Sequence, residues 1–411
     1  MNIEVDTVKG FRDFLPPESL KREAVVGTVK KYFEIYGFMP IETPVIEFDE
    51  LMRTDNLEEE DEAISDRFKL KDRAGRNLGL RYEFTFQLAR IFKQNPNIKL
   101  PFKRYQIGYV FRDEPTGPNR FRQFTQCDVD IIGESSTKLD AECLVLVTDI
   151  FKELKVKDFE IQINNRKLLN SIIESVEINA SKQVLHELDK LTKIGEDQVK
   201  ANLRKFADSN KILTLFKLLE KDLSFFRDNA FDGAKDLGDL QVELSNYGIK
   251  VKINPMMIRG LGYYTGNIFE VIGPDKNTIA GGGRYDKVVG KYAGKELPAV
   301  GISFGLERVC QLANITPRNI PSVLVISIEK DKESSVLLRK IRKSGISSIM
   351  FSDKPGKALE YANSLSIPYV IFIGEDEVSK ERFKLRDMLS GEEKDLTEKQ
   401  VLSFLKKFSL D

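Results

Sequence analysis

Histidine is almost missing from this chain: His186 is the only one in 411 residues. It sits among charges in VLHELDKL, at a helical surface position, which leaves little room for a histidine general base. Cysteine is nearly as scarce. Cys127, Cys143 and Cys310 lie far apart, without metal-ligand spacing, and read as free thiols in a reducing compartment. Net charge is lacking altogether, because 64 Lys and Arg balance 64 Asp and Glu. A neutral total gives no sign of the basic surface that usually meets nucleic acid, although a local stripe can hide within it. No apolar run reaches the ~18 residues of a membrane-crossing helix. The N-terminal MNIEVDTVKGFRDF has no apolar run at all, so neither a signal peptide nor a membrane span is expected, and the expected location is cytoplasmic. The 41% hydrophobic and 31% charged fractions suit a soluble globular chain of two or three domains.

What is present is concentrated in FKRYQIGYVFRDEPTGPNRFRQFTQCDVDIIG, from Phe102 to Gly133. It reads as strand, polar Pro/Gly loop (Asp113–Asn119) and strand. Tyr105, Ile107, Tyr109 and Phe111 share one face of the first strand, with Arg112 at its end on the other. Alternation on the second strand sets Phe124, Gln126, Asp128 and Asp130 on one face, Thr125, Val129 and Ile131 on the other. An ordinary half-buried hairpin accounts for any one of these residues. Together with Arg120 and Arg122 they describe a pocket wall, holding a polyanion at the loop end and a small polar molecule deeper in.

Around this hairpin the chain reads in order. Ser19 caps a helix from Leu20 to Tyr36, and Phe38–Phe48 is a strand interrupted by Pro40 and Pro44. Residues 53–63 form a charged loop, and a short hairpin (Phe68–Leu70, Leu78–Arg81) follows. LRYEFTFQLARIF (80–92) passes from strand into helix, with Glu83 and Thr85 at the junction. A helix (Leu139–Leu154) and a strand (Phe159–Ile163) precede a charged helical segment from Arg166 to about Tyr247. MIRGLGYYTGNIFEVIG (257–273) has glycines at 260, 262 and 266, and AGGGRYDKVVG (280–290) follows it. Such glycines admit a ligand or another backbone closely. Arg259 and Tyr264 have opposite parity, so a regular strand would aim them apart. A bulge or turn between them is expected if both face one site. PAVGISFGLERVCQLA (298–313) is a strand running into a helix, 312–322 is a linker, and from Ser322 strands and helices alternate in a doubly covered α/β sheet of about 90 residues.

The arginine ending the first hairpin strand, Glu114 two residues later, the loop and Arg-Phe-Arg-Gln-Phe resemble motif 2 of class II aminoacyl-tRNA synthetases. The continuation through Gln126 to Asp130 is similar to the histidyl-tRNA synthetases in particular. The 257–273 and 280–290 stretches resemble that family's two signature motifs; the early helix and proline-broken strand resemble motif 1, and 298–313 motif 3. The resemblance implies an α+β fold: an antiparallel-sheet catalytic core (1–165 and 248–318), a helical insertion (166–247) and a C-terminal α/β anticodon-binding domain (322–411). It implies a histidine–tRNA ligase that makes histidyl-adenylate from ATP and histidine, then charges tRNA(His). By resemblance Arg112 and Arg259 are catalytic at the α-phosphate, and Arg120 and Arg308 meet the outgoing pyrophosphate. Glu114 belongs to the ATP site, and Phe124 stacks the adenine. Glu83 and Thr85 hold the amino group of histidine, and Gln126, Asp130, Arg259, Tyr263 and Tyr264 complete its pocket. Mg²⁺ is expected to bridge phosphate oxygens, with no protein-held metal site, and motif 1 implies a homodimer. Gly262 departs from the family's usual aspartate, which leaves any role of that carboxylate in doubt. Two alternatives stay open: a non-catalytic paralogue such as the regulatory subunit of ATP phosphoribosyltransferase, and a synthetase-like RNA-binding protein without catalysis.

Overall fold

The computed structural model describes residues 5–52, 66–117, 120–259, 262–317 and 321–408. The charged 53–63 loop, Pro118 and Asn119 of the hairpin loop, Gly260 and Leu261, and part of the 312–322 linker lie outside the described residues. The chain divides into two compact units, Met1–Ile315 and Thr316–Asp411.

Strands of the first unit are, in chain order, β1 (Met39–Pro40), β2 (Ile46–Phe48), β3 (Lys69–Lys71), β4 (Asn77–Leu80), β5 (Phe102–Phe111), β6 (Gln123–Ile132), β7 (Glu160–Asn165), β8 (Lys252–Ile253), β9 (Asn267–Ile272), β10 (Thr278–Arg284) and β11 (Ala299–Gly305). Eight of them form one sheet in the order β1-β5-β6-β11-β10-β9-β7-β8, and β2, β4 and β3 form a small one. All neighbours from β5 to β7 are antiparallel; the two marginal strands, β1 and β8, are parallel to theirs. The interrupted strand 38–48 is therefore two pieces in two sheets. Pro40 and Pro44 lack the N–H that a continuous ladder requires, so the chain leaves the large sheet after Pro40.

Period-two alternation gives the large sheet two unlike faces. One carries Tyr105, Cys127, Val129, Ile131, Ile302 and Phe304, buried against the helices Glu18–Ile35, Thr137–Glu153 and Leu306–Leu312. Phe304 meets Phe33 and Phe151 with ring centroids 6.3 and 5.7 Å apart, and burial of each such ring contributes about 2 kcal/mol. Arg22 ties the same layer together. It pairs with Glu307 at 2.9 Å, and Glu307 accepts from the Thr125 backbone N–H. The opposite face carries Arg104, Gln106, Gly108, Gln126, Asp128, Asp130, Gly281, Gly283, Gly301 and Ser303, matched row by row in register. Polar and glycine positions are gathered there.

The first helix starts at Glu18, directly after Pro17, so Ser19 lies inside its first turn rather than capping it. Helices from Arg166–Ser175 to Ala234–Asn246 fill the segment between β7 and β8. Asn165 caps the first of them through the N–H groups of Lys167 and Leu168. Their apolar side chains, Ile172, Leu215, Phe226 and Leu237 among them, join the core beneath the large sheet.

The second unit is a five-stranded sheet of β12 (Val323–Ser327), β13 (Ser348–Phe351), β14 (Tyr369–Ile373), β15 (Arg382–Asp387) and β16 (Glu393–Thr397), ordered β13-β12-β14-β15-β16. Val323, Val325 and Ile371 pack with the helices Asp331–Lys343 and Glu398–Phe408, while Leu324, Ile326 and Val370 pack with Pro355–Ser364 on the other side. Two separate cores follow from strands that are apolar on both faces.

Candidate active site

The polar face of the large sheet has a glycine floor. Gly281 and Gly283 of β10 lie beside Ser303 and Gly301 of β11. A side chain at Gly281 would occupy the space that holds the Arg259 guanidinium, and one at Gly283 would meet the Tyr264 ring. Arg259 and Tyr264 thus lie over the same face and interact electrostatically. No strand is formed between Ile253 and Asn267 among the described residues, so opposite parity does not separate them. The loop is pinned at both ends instead. Asn164 donates to the carbonyls of Pro255 and Met257, and Arg166 N–H donates to the Gly266 carbonyl.

Arg259 Nη1 lies 3.3 Å from Glu270 Oε1, and Glu270 stands directly across from Gly281. Burial works against the guanidinium charge, but Tyr264 and Glu270 outweigh it and hold its pKa above the ordinary value. Burial raises Tyr264 and Glu270 above theirs.

The wall beside this floor is built by β5, β6 and the start of the helix Phe86–Gln94. Glu83 Oε1 accepts from the N–H groups of Thr85 and Phe86 at 2.8 and 2.7 Å, satisfying free donors of the helix start. The Tyr263 ring packs against Phe86, Tyr264 and Tyr285. Gln126 Nε2 donates to Asp128 Oδ2 at 2.9 Å. Asp130 accepts from the Tyr285 hydroxyl and forms an ion pair with Arg104, which is fully buried. Both oxygens of Asp130 are therefore engaged within the protein. Arg104 Nη2 also lies 3.5 Å from the Phe84 carbonyl, linking Asp130 to the Glu83–Thr85 corner. Several buried atoms on this face have no hydrogen-bond partner among the described residues, including Arg104 Nε and Nη1, Gln106 Oε1, Gln126 Oε1 and Asp128 Oδ1. Buried groups of this kind mark a surface shaped for a polar ligand.

Burial raises the carboxyls of Glu83 and Asp130 and pushes Asp128 up to about 7, against the pull of Arg104. The folded chain thus holds the Asp128 proton more tightly than the unfolded one. That contribution to stability is complete below the unfolded value of about 4 and is lost as pH rises through the folded one. Asp128→Asn should flatten the fall in apo-protein Tm between about pH 5 and 7; a slope equal to that of the wild type would contradict this.

At the loop end of the hairpin, the Arg112 guanidinium stands 4.3 Å from the Tyr82 ring centroid and 5.1 Å from that of Phe124. Glu114 accepts from Arg120 Nε at 3.0 Å, and Arg122 pairs with Asp113 at 3.1 Å. Arg308, on the helix Leu306–Leu312, reaches Asp275 at 2.8 Å in the β9–β10 turn. Glu83, Thr85, Gln126, Asp130, Arg259, Tyr263 and Tyr264 thus gather on one face. Arg112, Glu114, Arg120 and Phe124 gather at its hairpin end, and Arg308 is engaged with a surface carboxylate. Four members escape the sequence reading: Arg104, Tyr285, Glu270 and Asp128 as Gln126's partner. Arg104 has the parity of Arg112 and was within reach of the alternation pattern; for Tyr285 and Glu270 the sequence holds no comparable signal.

The family model described as histidyl-tRNA synthetase matches residues 10–309, and one described as anticodon binding domain matches 322–408. Histidine–tRNA ligase 1 of Bacillus cereus is 37% identical, covering 95% of each chain. Histidine–tRNA ligase of Clostridium tetani is 33% identical over 98% of each. The crystal structure of histidyl-tRNA synthetase from Nostoc sp. superposes with a TM-score of 0.86 at 28% identity, covering 99% of this chain and 100% of that one. A Bacillus halodurans structure, titled as an ATP phosphoribosyltransferase regulatory subunit/histidyl-tRNA synthetase, shares the fold: its TM-score is 0.75 at 20% identity, covering 88% of this chain and 97% of the other.

Proposed function

The chain belongs to the histidyl-tRNA synthetase family and is an aminoacyl-tRNA ligase for histidine; from that premise we propose how its residues divide the work. Adenylate formation builds charge on the ATP α-phosphate while pyrophosphate leaves. It calls for fixed cations and alignment more than for proton transfer. Arg259 and Arg112 supply those cations, because the planar guanidinium bonds phosphate oxygens in pairs. Arg120 and Arg308 meet the pyrophosphate, exchanging their present carboxylates, Glu114 and Asp275, for phosphate oxygens. Phe124 stacks the adenine. Glu83, Thr85 and Gln126 receive the histidine ammonium; Tyr263 and Tyr264 line its side-chain pocket beside the Arg104–Asp130–Tyr285 group. The observation that carries this reading is Arg259 seated on Gly281, over the face that holds Gln126 and Asp130. ATP–pyrophosphate exchange across the twenty amino acids tests it: exchange dependent on histidine alone is expected, and none with histidine would overturn it.

The acids nearest the phosphate path, Glu114 and Glu270, are each paired with an arginine. That charge set suits a Mg²⁺ carried in on the phosphates, where it would neutralise oxygen charge as pyrophosphate departs. The core is assigned to 1–165 and 248–318 and the insertion to 166–247. The unit from 322 onward is assigned to the anticodon of tRNA(His). Deleting Ser322–Asp411 should leave pyrophosphate exchange measurable but sharply weaken aminoacylation; a core that charges tRNA as well as the full chain would refute that assignment.

A cytoplasmic homodimer is part of the proposal. Ile35, Met39, Ile46 and Phe48 in the motif 1 region are each about half-exposed or more, and burying them against a second copy removes apolar surface from water. Sedimentation at micromolar concentration should give a dimer; a fully active monomer would exclude it.

A further inference from the structure

Gln126 holds a buried carbonyl oxygen, Oε1, that meets no donor among the described residues. The reason lies two residues along the strand. Its amide nitrogen donates to Asp128 Oδ2 at 2.9 Å, and a carboxylate only accepts. While Asp128 is ionised, the amide is therefore obliged to turn its nitrogen toward it and its oxygen away. Asp128 is itself fixed. It is 4% exposed and stands between Gln106 on β5 and Ser303 on β11, with Oδ2 toward Gln126 and Oδ1 meeting no donor among the described residues.

An ammonium carries three N–H donors and no acceptor. Glu83 and Thr85 offer it a carboxylate and a hydroxyl, and the oxygen of Gln126 is a third acceptor on the same side of the sheet. A reversed amide would set its own N–H groups against the ammonium, leaving a buried charge unsatisfied. We propose that Asp128 is a positioning residue for substrate recognition, locking the Gln126 amide so that its oxygen receives the α-ammonium of the amino acid. This deepens the assignment of Gln126 to the histidine pocket and rests on it. The arriving ammonium favours the ionised form of Asp128, the form that enforces the lock.

Asp128→Asn tests it with little change of volume. An asparagine both donates and accepts, so Gln126 is released to either orientation. The KM for histidine in pyrophosphate exchange should rise about tenfold, the equivalent of one lost hydrogen bond to a charge, while the KM for ATP stays within about twofold. The double variant Asp128→Asn/Gln126→Glu supplies rescue, since a carboxylate at 126 presents an acceptor whichever way it turns. It should bring the histidine KM back to within about threefold of wild type. A merely structural role for Asp128 would not be repaired by a change at 126. Absence of histidine-dependent exchange by the wild type overturns the functional reading and this inference with it. Normal exchange by the wild type with an unchanged histidine KM in Asp128→Asn, or a double variant no better than the single, overturns the inference alone.

Discussion

Arg259→Ala is expected to lose about a hundredfold in the rate of histidine-dependent pyrophosphate exchange, or about 3 kcal/mol of transition-state stabilisation. The guanidinium is held by the protein's own groups, over Gly281 and against Glu270, so little reorganisation is needed for reaction. On the proposed assignment, charge that grows on the α-phosphate would be met by a group whose position is fixed in advance. The loss should fall on kcat more than on KM, because the ground-state phosphate carries less of the charge that Arg259 stabilises. Gly281→Val should reproduce much of it without touching the arginine, since the side chain takes the guanidinium's seat. If Arg259→Ala exchanges pyrophosphate at the normal rate with only a raised KM, the arginine serves binding and not the chemical step.

The second large effect concerns Arg104. It has no exposed surface and is the ion-pair partner of Asp130. Removing one member of a buried pair leaves the other uncompensated, which costs about 3–5 kcal/mol. Arg104→Leu should therefore lower the urea midpoint of the first unit strongly, and Arg104→Leu/Asp130→Leu should recover much of the loss. Equal midpoints for wild type and Arg104→Leu would show that the pair carries no structural weight. Asp130→Asn keeps the shape of the site but removes the charge facing Arg104. It should lower kcat/KM for histidine while leaving the KM for ATP nearly unchanged. Equal losses for both substrates would mean that Asp130 acts on the architecture of the whole face and not on the amino acid.

Much of this site is legible in the sequence, for reasons that differ from residue to residue. Gln126 and Asp130 are visible because a strand repeats every two residues, so polar side chains at 126, 128 and 130 describe one polar face. Arg112 is visible as the last residue before a proline-bearing loop. The convergence of Arg259 with Tyr264 is not legible, because it depends on a loop held by Asn164 and the Gly266 carbonyl, contacts about 100 residues apart along the chain. The occupation of Asp130 by Arg104 and Tyr285 is hidden for the same reason: it arises only once β5, β6 and the segment after β10 lie side by side. The strand 38–48 divides between two sheets because the prolines say where pairing stops, but not where the chain goes next.

Those prolines bear on association as well as on topology. The large sheet is bounded at each margin by a strand of only two residues, Met39–Pro40 on one side and Lys252–Ile253 on the other. A foreign strand seeking to zip onto either margin finds almost no run of free backbone N–H and C=O groups to follow. For the proposed homodimer, such margins would favour side-chain surfaces that only a matching partner complements over main-chain pairing, which any extended peptide can imitate. A wide and largely antiparallel sheet framed in this way would draw any partner selectivity at its margins from its shortest strands.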